Sequence, residues 1–497
     1  MKRRHFLAGS IAAGSTFLLP DHLVAAPGAA VQTISKEPWQ RGFNGASQAF
    51  KQSQLTLEGV WPADAFGSLY RNTPALIERG NVKLQHWFDG DGMVHKFTFN
   101  KAGVSHTSQF VATEKYLREE AAGRFLYNAT GTQVPNANNP RNNDTMNVAN
   151  TALLPWQNEL LALWEGGSAY RLDPESLRTL GEKQWGEKQW GEQQGSQELV
   201  HAPFSAHPLL DKDGNLWNFG FIPYAKQPRL LIYHINPKSQ VIGLGNIVLP
   251  QAGYLHAFAQ TRDYLVFYIS ACLYESGATY IDSLHWRPEA GSKLLVIPKN
   301  ALDKPRWFDI APGLVFHFGN AWQDKDSIHL FMSTYKDARL MLTEMPKLMK
   351  GEKPALDHPY LTKVRVHLQT GIVKMESTGV NLEFPNYDPQ AEGNTPIYGT
   401  HASSPEKQFL SDSLAMVDPE RGVVDRYCFG DSVIVEEPLL IKSSHRNHYL
   451  MATYYDYIKQ ESGIAVLDAR KLSNGPIARA NMNQVIPLGF HGCFIPA

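Results

Sequence analysis

The stretch Lys83–Val111, KLQHWFDGDGMVHKFTFNKAGVSHTSQFV, decides the fold class. Lys83–Phe88 and Val94–Phe99 flank Asp89-Gly90-Asp91-Gly92, a run of turn formers, and the three pieces read as a hairpin. The β pattern continues past Lys101-Ala102-Gly103 into Val104–Val111. Working outward, strand-turn-strand units recur at Leu230–Leu244 around Pro237-Lys238-Ser239 and at Val364–Glu376 around Thr370-Gly371. Helical patterns are few, with Glu114–Tyr127 and Leu340–Met349 as the candidates. Short strands without βαβ alternation imply an all-β, closed architecture, and a propeller accommodates many strands without long exposed edges.

At 497 residues the chain is long enough for two or three domains or one large fold built from repeated units. Hydrophobic residues make up 43% of it, enough for a sizeable core, which excludes a disordered or fibrous chain. A formal charge of −1 offers no footprint for nucleic acid. The three cysteines, Cys272, Cys428 and Cys493, support neither a disulfide framework nor a CxxC zinc site. Gly181-Glu-Lys-Gln-Trp185 is repeated at residues 186–190 and in part at 191–194, and reads as a solvated loop insertion rather than a ligand site made by Trp185 and Trp190.

The N-terminus places Lys2, Arg3 and Arg4 before an apolar run from Phe6 to Leu19. Arg3-Arg4-His5-Phe6-Leu7 matches the core of a twin-arginine signal, and the expectation is a signal peptide over residues 1–30, cleaved between about Val24 and Ala30, ahead of one domain over 31–497. The expected destination is the periplasm, reached through the twin-arginine export machinery. No further apolar run reaches the ~18 residues of a membrane span.

Eighteen histidines are distributed along the chain, and four lie in apolar, strand-like surroundings. They are His207 in FSAHPLL, His256 in GYLHAFA, His317 in VFHFGNAW and His491 in PLGFHGCF. Their gaps of 49, 61 and 174 residues exclude a zinc finger or an HExxH helix, so any joint site must be assembled by closure of the fold.

These four contexts resemble the carotenoid cleavage oxygenase family, which includes the retinal pigment epithelium isomerohydrolase and the lignostilbene dioxygenases. The resemblance extends over nearly the whole chain, through Arg71-Asn-Thr-Pro74, His86-Trp-Phe-Asp-Gly-Asp-Gly-Met93, Ala121-Ala-Gly-Arg124, Ala149-Asn-Thr151, Ala162-Leu-Trp-Glu-Gly-Gly167 and Glu383-Phe-Pro385. It implies a seven-bladed β-propeller with a loop and helix dome over an axial Fe(2+) site. His207, His256, His317 and His491 would be the ligands. Glu165, Glu383 and Glu437 would orient His256, His317 and His491, with Glu436 the neighbouring alternative to Glu437. Four neutral imidazoles on a six-coordinate metal leave up to two positions open. Thr151 matches the residue whose methyl group crowds one of them. The implied reaction is addition of both atoms of O2 across a conjugated C=C bond, giving two carbonyl products. No organic cofactor is implied.

Some positions depart from the family pattern. Ala257 stands where Asp is usual, Gln323 where Glu is usual, and Ser443-Ser-His-Arg-Asn-His448 replaces an acidic run. Trp164 occupies the position of the lysine with which lignostilbene-cleaving relatives engage a phenol, so the expected substrate is an apolar carotenoid or apocarotenoid polyene. A stilbenoid-cleaving dioxygenase, a retinoid-type isomerase and a non-catalytic apocarotenoid-binding propeller are the alternatives. A membrane-resident substrate implies peripheral membrane contact, for which Ile269–Leu284 is the candidate patch, a buried strand and loop being the other reading. The expected enzyme is a monomer. Cys493 is read as an inert thiol rather than a neighbour of the metal, and His86, His95 and His201 as structural.

Overall fold

The computed structural model describes residues 37–185, 201–391, 393–418, 420–443 and 448–497. The twin-arginine segment, Trp190 and residues 444–447 lie outside them. Seven antiparallel sheets of four to six strands follow one another along the chain. Each repeats the antiparallel up-and-down order seen in Leu209–Leu210, Leu216–Ile222, Arg229–Ile235 and Val241–Val248, with long insertions in three blades, between Gly67–Leu76 and Asp91–Asn100, between Tyr264–Ile269 and Ser292–Pro298, and between Ser327–Tyr335 and Tyr360–His367. This is a seven-bladed β-propeller. The hairpins expected around Pro237-Lys238-Ser239 and Thr370-Gly371 are present, pairing Ile235 with Val241 and Val366 with Val373.

The ring closes at both chain ends. The last strand, Gly492–Pro496, pairs with Gly67–Leu76 and completes the first blade, with Tyr70 opposite Cys493. Conversely Thr56–Gly59 adds to Pro476–Asn481 of the last blade. Alternation along the strands then packs each blade on two neighbours. Leu265 and Phe267 meet Phe219 and Ile232 of the preceding blade, whereas Val266 and Tyr268 meet Ile328 and Leu330 of the next. All eight are buried, which is why central strands carry apolar residues on both faces.

The opening stretch folds differently from its expected hairpin. Asp91–Asn100 and Gly103–Phe110 do form one, but the partner on the other side is Gly67–Leu76, and residues 84–90 are a loop. The buried Asp89 carboxylate holds that loop, accepting hydrogen bonds from the amides of His86 (3.0 Å) and Gly131 (2.6 Å) and from Thr132 Oγ1 (2.5 Å). Helix Glu114–Ala122 is shorter than expected because Gly123 takes a left-handed conformation (φ 63°) and caps it. The second helical segment runs over Leu340–Lys350, one wide π turn followed by α-helix. Trp185 is not solvated: it is half-buried, its ring 5.1 Å from Phe204 and 5.8 Å from Trp156. Among the described residues no helix is long and apolar enough to cross a membrane.

The glycine at position 92 follows from packing rather than turn geometry. Its amide donates to Val148 O (2.8 Å), and a Cβ there would lie 2.3 Å from Ala149 O. Gly92→Ala is expected to lower the unfolding free energy by about 1–3 kcal/mol, read from the midpoint of chemical denaturation.

Candidate metal centre

The innermost strands of the blades begin near the axis, and seven side chains singled out in the sequence occupy those starts. Thr151 directly precedes Ala152–Trp156, His207 lies two residues before Leu209–Leu210, and His256 two before Phe258–Gln260. His317 lies within Leu314–Gln323, Glu383 opens Glu383–Asn386, Glu437 stands two residues before Leu439–Lys442, and His491 directly precedes Gly492–Pro496. Each blade thus contributes one. Glu165 is the exception, placed by the loop after Glu159–Leu163.

The four imidazoles come together at the axis. One ligand atom of each lies within 4.8 Å of the others, with Nε2 to Nε2 separations of 2.9 Å for His207 and His256 and 3.1 Å for His317 and His491. Three rings are fixed from behind. His317 Nδ1 lies 2.5 Å from Glu383 Oε2, His491 Nδ1 lies 2.8 Å from Glu437 Oε1, and His256 Nδ1 meets Glu165 Oε1. No carboxylate meets His207 among the described residues. Glu437, not Glu436, reaches His491; Glu436 instead accepts from the Gly489 amide at 2.6 Å.

Burial and charge act on two of the imidazoles and two of the carboxylates. Burial lowers the pKa of His207, helped by His256, His491 and His317 around it, and burial also lowers His491 despite Glu437. Burial pushes Glu383 and Glu437 upward, but their histidine partners outweigh it and leave both carboxyls below their usual range. With Nδ1 engaged by a glutamate, His317 and His491 each turn Nε2 toward the other, 3.1 Å apart. Four converging imidazole nitrogens are a donor set suited to a divalent transition metal.

Several supporting residues were given no role by the sequence, although Arg71, Asn150 and Phe384 lie in motifs that carry the resemblance. Buried Arg71 donates to Glu437 Oε2 (3.4 Å) and lies 3.7 Å from Glu436, so it holds two adjacent carboxylates. Tyr335, kept protonated by burial and by Glu383, donates to Glu383 Oε1 at 3.3 Å. Thr151 Oγ1 donates to Asn150 Oδ1 (3.0 Å), and Asn150 Nδ2 donates to Phe88 O (2.9 Å) and Gly90 O (2.8 Å). The Phe384 amide also donates to Glu383, and its backbone is left-handed (φ 50°).

Above the imidazoles lies a cavity of about 600 Å³ whose wall includes Thr151, Trp164, Glu165, His256, His317 and His491. Phe88, Phe219, Phe221, Phe316 and Phe490 make it largely apolar, and the helical segment Leu340–Lys350 roofs it through Met341 and Met345. Tyr274, Tyr280 and Ile281 also line it and Ile269 and Leu284 are buried, whereas residues 275–278 between them are exposed. His86, His95 and His201 stand apart from the centre: His86 Nε2 donates to Met341 O (2.9 Å), His95 bonds His106 (3.0 Å), and His201 bonds Asp144 (2.8 Å). The Cys493 thiol is raised by burial and by Glu437 and packs beside Ile495, outside the cavity wall.

A family model described as retinal pigment epithelial membrane protein matches residues 44–496. The chain is 26% identical over 487 residues to the apocarotenoid-15,15'-oxygenase of Synechocystis sp., covering 93% of this chain and 96% of that protein. It is 25% identical to the isoeugenol monooxygenase of Pseudomonas nitroreducens (89% and 94% covered) and 24% identical to carotenoid cleavage oxygenase 1 of Neurospora crassa (89% and 87%). Among solved structures, a variant of the Synechocystis apocarotenoid oxygenase superposes with a TM-score of 0.80 at 25% identity, covering 93% of this chain and 98% of that one. A cobalt-substituted form of the same oxygenase gives the same values.

His317→Ala is expected to abolish tight uptake of a divalent transition metal, and Glu437→Ala to weaken it ten- to a hundred-fold, both measured by elemental analysis and chelator competition.

Proposed function

The chain belongs to the retinal pigment epithelial membrane protein family, and on that premise we propose that it is an Fe(2+) dioxygenase cleaving a conjugated C=C bond of a carotenoid or apocarotenoid. The observation that carries the reading is the convergence of four imidazole nitrogens beneath an apolar chamber. His207, His256, His317 and His491 would hold the iron, and Glu165, Glu383 and Glu437 keep three of the rings in the tautomer that offers Nε2. Bound iron would supply the oxygen chemistry that no side chain provides.

The protein's own contribution is placement and exclusion of water. The Thr151 hydroxyl is engaged by Asn150, so its methyl group is the part left to limit approach to the centre. Trp164 lines the chamber beside Glu165, its ring packed so closely over Gly166 that a Cβ there would lie 2.8 Å away. At that position an apolar ring favours a polyene over a phenolate. The phenylpropanoid substrate in the name of the Pseudomonas relative makes cleavage of a phenolic styrene or stilbene the second reading.

Incubating iron-loaded protein with a carotenoid and apocarotenoid panel, isoeugenol and resveratrol under 18O2 tests the assignment. The expected outcome is two carbonyl products from a polyene, each carrying label, with product masses locating the bond. Cleavage of the phenolic substrates alone would replace the polyene reading, and no cleavage by protein with a full iron site would overturn dioxygenase activity altogether.

The leader supports a second proposal, that the enzyme works in the periplasm. Replacing Arg3 and Arg4 by lysine is expected to leave precursor in the cytoplasm, read by fractionation; unaltered export would overturn the twin-arginine route.

A further inference from the structure

The chamber roof is a helical segment whose own hydrogen bonding is interrupted. Over Leu340–Glu344 the turn is widened to the π spacing, and the Met345 amide donates to Leu340 O, five residues back. The same spacing would next bring residue 346 to Met341 O, but Pro346 has no N–H. Proline is tolerated at the start of helix Met345–Lys350, yet it leaves the carbonyl of a fully buried residue without a helical donor.

The missing donor comes from the loop over residues 84–90. His86 Nε2 lies 2.9 Å from Met341 O, 255 residues away in sequence. Its other nitrogen fixes where the proton sits: Nδ1 accepts from the Phe88 amide at 3.1 Å, so the neutral ring carries its hydrogen on Nε2. Burial lowers the pKa of His86 against the pull of Asp89 and so favours that neutral ring. The imidazole is itself immobilised. Its backbone amide donates to Asp89 Oδ2 (3.0 Å), its ring stands edge-on to Phe88 at 4.8 Å, and a Cβ on Gly131 would lie 2.6 Å from His86 Cβ. Met341 and Met345 line the chamber, whereas His86 does not. Met341 also shares an apolar cluster with Tyr254 and Tyr335, whose hydroxyls bond His256 Nδ1 (3.3 Å) and Glu383 Oε1 (3.3 Å).

We propose that His86 is a positioning residue of the chamber: by supplying the hydrogen bond that Pro346 cannot, it holds the Leu340–Lys350 roof on the cavity and so fixes the space a ligand occupies. The inference rests on the reading of the chamber as the substrate site, and it adds to that site a residue that touches neither the substrate nor the metal. One consequence is specific to this arrangement. An N–H at position 346 would let the segment return to α-helical spacing, in which the Met345 amide donates to Met341 O and no outside donor is needed. The effects of changing His86 and Pro346 are therefore coupled.

The test combines His86→Leu with Pro346→Ala, and reads hydrogen exchange of residues 340–350 beside equilibrium binding of an apocarotenal, followed by quenching of tryptophan fluorescence. In His86→Leu the roof amides are expected to exchange about ten- to a hundred-fold faster and the ligand to bind about ten-fold more weakly, with metal content unchanged by elemental analysis. His86→Gln, which keeps an N–H donor, restores most of both. In the Pro346→Ala background, adding His86→Leu is expected to cost less than about three-fold in either measurement. Unaltered exchange in His86→Leu, or an equal loss with and without Pro346, would overturn the proposal. Loss of the metal in His86→Leu would overturn it as well, by showing that His86 supports the centre rather than the roof. A native protein that binds no apocarotenal, while the exchange pattern holds, would uphold the role of His86 and overturn the polyene reading.

Discussion

Two imidazoles whose Nδ1 atoms are each tied to a glutamate turn Nε2 toward one another, and the fold brings His317 and His491 to 3.1 Å in that arrangement. Burial opposes a second proton on His491, because an imidazolium there would be poorly solvated. Four imidazole nitrogens converging in this way suit a shared cation. The surrounding carboxylates serve the same end, since they fix each tautomer and supply negative charge without touching the metal position themselves.

That constraint is met by the way the ring closes. His491 is the residue before the last strand, and its backbone is fastened on both sides: its amide donates to Thr151 O (3.2 Å) and its carbonyl accepts from the Asn72 amide (3.0 Å). The next amide, Gly492 N, donates to Glu437 Oε2 at 2.8 Å. Pairing of the C-terminal strand with Gly67–Leu76 therefore does two jobs at once, completing a blade and delivering the final imidazole. A Cβ at Gly489 would lie 2.4 Å from Asn72 O, and one at Gly492 would lie 2.4 Å from Tyr70 O, so the approach leaves no room for a side chain on either flank. Stability of the closure and assembly of the centre are one property of this chain.

The β character was legible because alternation and turn chemistry are local, as in the Val366 to Val373 turn. The hairpin at Lys83–Phe99 misled for an equally physical reason. Asp89 and Gly90 have the composition of a turn, but Asp89 is buried and bonds to Gly131 and Thr132, partners more than forty residues away in sequence. The four histidines and three glutamates stood out through family resemblance, not spacing, because closure of the ring erases any relation between sequence separation and distance. Arg71 and Tyr335 act through burial and orientation. Nothing in their local sequence announces either.

The motif that made the family recognisable does no chemistry in this structure. Phe88 and Gly90 present their carbonyls to Asn150, which receives the Thr151 hydroxyl; Gly92 lets Ala149 approach; and His86 reaches across to Met341 in the chamber roof. His86-Trp-Phe-Asp-Gly-Asp-Gly-Met93 is thus the junction between the first blade, Thr151 in the chamber wall and the helix above it. The departures from the family pattern can be read by the same logic. Gln323 accepts from Thr261 Oγ1 (2.6 Å) and the Asp263 amide (3.0 Å) while its Nε2 donates to Asp263 Oδ2 (2.6 Å). A glutamate could not donate to that carboxylate and would repel it, so glutamine in this chain is matched to an aspartate on the neighbouring blade. Such a substitution changes a contact between two blades at the far end of the strand that carries His317, which is how a family can diverge to about a quarter identity and keep one centre.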